Sequence, residues 1–249
     1  MKRMLVIGDS CLDVYIYGKC DRLCPDAPVP VLIPTERLEN GGMARNVFDN
    51  VKSIHSDVEL ITNKKVIEKV RYVDTKTNQM LVRVDSEVTL LDRISNLNEI
   101  EYDKYDIIII SDYCKGFLEM EDIKYICDNH DMVFIDTKKI LGDYCLNAKI
   151  IKINETEYKN NVSAYIDTDK FNNKLIVTLG NKGCRFMGSV YSVDNVDIKD
   201  MTGAGDTFIA TLAVKYLETN DIIESIKFAN DCSTIVVQHK GVNKIGNLL

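Results

Sequence analysis

The sequence predicts an α/β domain: a doubly wound, mostly parallel sheet with helices on both faces and a small β-lid. Two observations predict it. Short β-branched runs at Met4–Gly8, Val58–Thr62, Ile107–Ser111, Met132–Asp136, Ile150–Ile153 and Leu175–Leu179 alternate with segments of helical period, such as Glu119–Asn129, Thr207–Glu218 and Ile222–His239. Parallel neighbours need crossover connections, so this alternation argues for a parallel sheet covered on both sides. The second observation is that two segments break the pattern. Pro25–Ile33 is punctuated by prolines and then extended, and Val70–Val88 alternates apolar and polar residues at period two, as a half-exposed antiparallel ribbon does. They read as strands outside the main sheet, a lid drawn from about residues 14–38 and 68–88.

With 249 residues, 45% of them hydrophobic, the chain can bury one sizeable core, and no repeat or linker divides it, so residues 1–249 read as a single domain. The net charge of −7 leaves no broad basic surface for a phosphate backbone, which argues against nucleic acid as a partner. The longest apolar run, Ile107–Ile110, is far too short to span a bilayer, and the apolar stretch behind Lys2 and Arg3 is cut off by Asp9 and Asp13 before it could act as a secretory signal. No membrane association is expected. The eight cysteines are scattered without a CxxC, and Cys20 and Cys24 have no second pair or nearby histidine to complete a zinc site. Reduced thiols in a cytoplasmic protein are the expectation.

The residues most suggestive of chemistry are Asp200-Met201-Thr202-Gly203-Ala204-Gly205-Asp206-Thr207-Phe208, placed directly before an apolar helical run. Two glycines one residue apart let backbone N–H groups converge on an anion at a helix N-terminus, where the helix dipole also favours negative charge. Asp206, in or just before the first turn, can accept a proton from a substrate hydroxyl while Gly203, Ala204 and Gly205 steady a transferring phosphoryl group. The plain alternative is a tight Gly-Ala-Gly turn with Asp206 as a helix cap. Neither a Walker A motif nor the protein-kinase motif set occurs.

The nine residues together resemble the DTGAGD motif of the PfkB carbohydrate kinases, with Met201 beside the usual threonine, and the resemblance extends over nearly the whole chain. It implies a ribokinase-like fold that binds ATP and Mg²⁺. Gly8-Asp9-Ser10-Cys11-Leu12-Asp13 is similar to the family's first strand, which implies that Asp13 grips sugar hydroxyls. Gly41-Gly42-Met43-Ala44-Arg45-Asn46 looks like the GG-x-A-x-N element, which implies that Gly41, Gly42 and Asn46 approach the sugar. Asn154-Glu155-Thr156-Glu157 matches N-x-x-E, implying that Asn154 and Glu157 lie near the nucleotide phosphates, with Glu157 acting on Mg²⁺ through water. Read alone, the same four residues are a capped helix start. Thr178, Gly180 and Gly183 match a T-x-G-x-x-G turn along the nucleotide, Asn230 matches the segment flanking adenine, and Asp200 with Thr202 matches a monovalent-cation site, implying K⁺.

Within the family, Arg22–Val31, Gln79–Asp85, Ser111–Gly116 and Asp136-Thr137-Lys138 resemble the branch that phosphorylates the anomeric hydroxyl of D-glycero-β-D-manno-heptose 7-phosphate, a precursor of lipopolysaccharide. For a substrate that already carries a phosphate, Arg83, Lys115 and Arg71 are the nominated cations, because charge-assisted bonds hold such groups well; the plain alternative is that they form surface ion pairs. Only 24 residues separate Asn46 from Arg71, where related kinases place a further strand–helix–strand stretch, so a trimmed sheet edge is expected. The nucleotidyltransferase domain fused to some heptose kinases is not expected after Gly241. A kinase for another sugar or nucleoside, and a catalytically idle sugar- or nucleotide-binding homologue, remain open. The lid strands carry more apolar residues than they can bury alone, so a homodimer through the lid, around Val31, Ile33 and Leu81, is also expected.

Overall fold

A computed structural model describes residues 2–86 and 91–249. Its centre is an eight-stranded sheet. From one edge to the other the strands are β12 (Ser189–Tyr191), β11 (Cys184–Phe186), β10 (Leu175–Thr178), β9 (Ile150–Asn154), β8 (Val133–Thr137), β7 (Ile107–Asp112), β1 (Met4–Gly8) and β4 (Val58–Thr62). The strands from β10 to β4 are parallel, while β11 and β12 are added antiparallel at the other edge.

Side chains alternate across a strand, so one apolar run feeds two cores. Leu5, Ile7, Ile108 and Ile110 pack on one face with Ile123 and Ile126 of α2 (Met120–Asn129). Met4, Val6, Ile107 and Ile109 pack on the other with Val47 of α1 (Ala44–Ile54), Leu212 of α4 (Ala204–Thr219) and Ile226 of α5 (Ile222–Val236). The predicted doubly wound fold is therefore the observed one. The sheet ends at β4, whose residues are half-buried or exposed, in keeping with the trimmed edge.

A second sheet holds β3 (Pro30–Met43), β2 (Ser10–Leu23), β5 (Glu68–Asp74) and β6 (Met80–Ser86), in that order. The β5–β6 pair is the antiparallel ribbon expected from the period-two pattern, up to Ser86; Val88 lies outside the described residues. β2 is longer than the lid boundaries suggest, because its first residues pair with the Gly41–Met43 end of β3 and bring Asp13 beside the end of β1.

Two helices differ from the expected spans. α4 starts three residues early, at Ala204, with Gly203 as its cap. α5 stops at Val236 rather than His239: the amides of Gln238 and His239 bond only three residues back, to Ile235 and Val236, and the Val237 carbonyl accepts the amides of Lys199 (2.8 Å) and Asp200 (3.2 Å), tying the helix end to the glycine loop.

Candidate active site

The glycine loop is built by its own first acid. Asp200 accepts the Thr202 amide at 2.8 Å and the Gly241 amide at 3.1 Å. Gly203 then takes φ +81°, a left-handed conformation that side chains disfavour, and a Cβ there would lie 2.6 Å from Asn46 Nδ2. Both constraints call for glycine. Past it, Asp206 is the third residue of α4 and does not cap it. Its Oδ2 accepts Asn46 Nδ2 at 2.9 Å, and its Oδ1 accepts the Tyr113 hydroxyl at 2.6 Å. Burial pushes the Asp206 carboxyl up to about 6; the Tyr113 and Asn46 donors pull it down, Asp136 raises it and Lys152 lowers it. A carboxyl poised there can take a proton from a hydroxyl near neutral pH.

Asp13 is the second buried acid of the site. Its Oδ1 accepts Arg71 Nη1 at 2.6 Å, in an ion pair with little exposure on either side. Gly42 lies directly beneath it: a Cβ there would sit 2.1 Å from Asp13 Oδ2. Gly41 packs against the Arg45 side chain, and the Asn46 side-chain oxygen accepts Asn50 Nδ2 at 2.9 Å, fixing which end of the amide faces Asp206. Arg83 stands across the ladder from Arg71 but is half exposed and bound through Nε and Nη2 to Asp85, both at 2.8 Å. Lys115 is half-buried in the loop after β7, which Asp9 holds by accepting the amides of Tyr113 (2.6 Å), Phe117 (3.3 Å) and Lys115 (3.4 Å).

On the other side of the loop, Thr178, Gly180, Gly183, Ala204, Gly205 and Asn230 line one cavity. Sequence reasoning missed its apolar wall, including Val196, Phe208 and Val237, since nothing in those residue types marks them off from core. The Asn230 amide donates to the Tyr191 carbonyl at 2.9 Å, so this side chain also fixes the cavity's edge strand.

Asn154 and Glu157 form a reciprocal capping box on α3 (Glu155–Ser163): Asn154 Oδ1 accepts the Glu157 amide at 2.9 Å, and Glu157 Oε2 accepts the Asn154 amide at 2.7 Å. The plain reading of N-x-x-E is thus realised, and neither residue lines the cavity. Glu157 nevertheless feels the site. Burial raises its carboxyl, Asp136 raises it further, and Lys152 and Lys138 oppose that.

Lys152 and Asp136 form a buried ion pair at 2.7 Å between directly paired positions of β9 and β8. Burial disfavours the Lys152 charge, but Asp136, Glu157 and Asp206 more than offset it and raise its pKa. A Cβ at Gly205 would lie 3.0 Å from Lys152 Nζ, so this ammonium reaches beneath the glycine loop. Its sequence signal was the lone charge inside the apolar run Ile150–Ile153. Among the described residues no cluster of three His, Cys, Asp or Glu side chains could hold a metal.

This geometry can accept a proton at Asp206, with the Asp13–Arg71 ion pair and a cavity that ends at a helix N-terminus as the other parts of the site. The description "pfkB family carbohydrate kinase" matches residues 72–247. The bifunctional protein HldE of Helicobacter pylori (strain J99) is 31% identical over 300 residues, a match covering 97% of this chain and 64% of the relative. The chain thus spans under two thirds of that relative's length. The matched span exceeds this chain's 249 residues, so the relative carries segments that the chain lacks. Phosphofructokinase-2 from Escherichia coli in complex with potassium superposes with a TM-score of 0.72 at 14% identity, covering 100% of this chain and 98% of the other. Ribokinase from Arabidopsis thaliana complexed with ribose and ATP gives 0.68 at 16% identity, covering 100% and 96%.

Proposed function

Since the chain belongs to the pfkB family of carbohydrate kinases, and is therefore a phosphotransferase with a hydroxyl acceptor, we propose that it transfers the γ-phosphoryl group of ATP to the anomeric hydroxyl of D-glycero-β-D-manno-heptose 7-phosphate. One observation carries the reading. Asp206 is buried between Asn46 and Tyr113 on the acceptor side, while Ala204 and Gly205 of the same turn line the cavity on the other.

The cavity suits a nucleotide, with Val196, Phe208 and Val237 against the base and Gly180 and Gly183 along the phosphates. When bound, Mg²⁺–ATP supplies the phosphoryl group and neutralises much of its charge. The chain itself offers the amides of the first turn of α4, which have no intrahelical acceptors, and Lys152 below them. Glu157 has one carboxylate oxygen committed to Asn154, which suits a cation held mostly by phosphates and water. Asp13, with Arg71, binds sugar hydroxyls. Asp206 accepts the proton of the attacking hydroxyl. Asp200 and Thr202 fit a K⁺ effect on loop order, to be checked by comparing rates in K⁺, Na⁺ and a bulky organic cation; equal rates remove it.

We also place this kinase in the cytoplasm, as a homodimer through the second sheet acting as lid. Ile33, Met80, Val82 and Val84 there are at least half exposed, whereas Leu81 sits half-buried at a register shift and is a weaker anchor than its sequence suggests. Light scattering should show a dimer, and a monomer with Ile33→Asp and Val82→Asp.

The direct test is ADP release against a panel of sugars, nucleosides and sugar phosphates, with the new phosphate located by phosphorus NMR. Turnover of the heptose 7-phosphate above the others, at the anomeric position, supports the proposal. Preference for another acceptor overturns the substrate, and no turnover with any acceptor favours an idle homologue.

A further inference from the structure

Most cations around the site already face a carboxylate. Arg71 pairs with Asp13, Lys152 with Asp136, Lys139 with Asp112 and Arg83 with Asp85. Lys69 and Lys138 are different. Among the described residues neither forms an ion pair, and both set their ammonium groups over the ring of Tyr113, at 5.9 and 4.1 Å from its centre. Tyr113 is the residue whose hydroxyl meets Asp206.

The two lysines arrive from different parts of the fold. Lys69 lies on β5, directly paired with Asp13 and two residues before Arg71, so it shares the face of the second sheet that carries the Asp13–Arg71 pair. Lys138 immediately follows β8, two residues after Asp136. Two like charges brought to one ring repel each other. The ring's attraction is worth only about 0.5–1 kcal/mol where water has access, so an anion that reaches these ammonium groups would meet little competition. Neither lysine lines the nucleotide cavity. The anion that fits is therefore one carried by the acceptor.

We propose that Lys69 and Lys138 form a phosphate subsite beside Asp206, which holds a phosphate ester already present on the acceptor and so selects sugar phosphates over free sugars. This rests on the carbohydrate-kinase reading of the same site, and it moves the recognition of that phosphate from Arg83, whose guanidinium Asp85 already occupies, to the Tyr113 ring. A terminal phosphate leaves the far end of a heptose free to reach Asp206 with a hydroxyl, while Asp13 holds those between.

The test is calorimetry with a non-hydrolysable ATP analogue present, comparing a hexose and a heptose with their terminal phosphate esters. The wild type should bind each ester roughly 10- to 100-fold more tightly than its parent sugar, the range expected of charge-assisted bonds. In the doubly substituted Lys69→Met, Lys138→Met protein this ratio should fall to near parity, and Lys69→Arg with Lys138→Arg should restore most of it. The ratio is the readout, so a general weakening of the site does not mimic the effect. A preference that survives in the methionine variant places the phosphate elsewhere and overturns the proposal, as does a wild type without any preference. If the variants instead raise the KM for nucleotide and leave the ratio unchanged, the lysines serve ATP and the subsite is again wrong. Should the ratio behave as expected while no ester is turned over, the subsite stands and the kinase proposal falls.

Discussion

Two buried carboxylates belong to the candidate site of this molecule, and they are held in opposite ways. Asp206 stands in the first turn of α4, on the main sheet's side, and is met by two neutral donors, Asn46 and Tyr113. Asp13 stands on β2 of the second sheet and is met by a guanidinium, Arg71. Neutral donors orient a carboxylate without cancelling its charge, so burial still lifts Asp206 toward neutrality and leaves it able to exchange a proton. A guanidinium at 2.6 Å instead pairs with its partner's charge and fixes its direction, which suits a group that binds hydroxyls. The difference lies in the neighbours, since both are aspartates with little exposure.

The largest expected effect separates their roles. Replacing Asp206 by Asn removes the proposed proton acceptor and should lower kcat roughly 100-fold or more, with nucleotide affinity nearly unchanged. Near-normal turnover would break the comparison at its stronger end. Asp13→Asn should act on the other kinetic constant: KM for the sugar should rise roughly 10- to 100-fold, with a smaller change in kcat, because a charge-assisted contact to the substrate is lost. A fall in kcat as deep as that of Asp206→Asn would mean that the two acids share the chemistry.

A smaller effect should appear in stability. The folded state raises the Asp206 pKa to about 6, above the ordinary 3.8, so it binds this proton more tightly than the unfolded chain does. Its ionised form is therefore a liability that grows as pH rises through that window and disappears below it. Urea unfolding should show Asp206→Asn gaining on the wild type by on the order of 3 kcal/mol between acid and mildly alkaline pH. A difference that does not vary with pH would place the raised pKa in doubt.

Much of this was legible in the sequence, for identifiable reasons. The parallel sheet was readable because a strand buried on both faces is apolar at every position, as Ile107–Ile110 is. The Asp206 turn was readable because its nine residues stand together directly before an apolar helical run, whereas the two glycines alone read equally as a plain turn. What escaped was contact between distant segments. Tyr113 stood in a motif that served only as a branch marker, and it lies 93 positions from the acid it bonds. The Lys152–Asp136 pair depends on the register of β8 against β9, which periodicity does not specify. Arg83 shows the same limit: the residue type suits a phosphate, while the structure shows the plain alternative, an ion pair with Asp85 two residues away on the same strand. The early end of α5 coincides with a tightened last turn and with the Val237 carbonyl's bonds to Lys199 and Asp200, a tertiary contact that local helical period does not specify.

The central claim, that Asp206 is the base of a carbohydrate kinase, is tested most directly by the pH dependence of kcat/KM for the best acceptor, with wild type and Asp206→Asn measured together. This ratio reports groups of the free enzyme. The wild type should lose activity tenfold per pH unit below an apparent pKa near 6, and the variant should show a low residual rate without that acid limb. A wild-type profile that stays level through pH 6, or a variant that keeps the same limb, would assign the proton to another group and contradict the account.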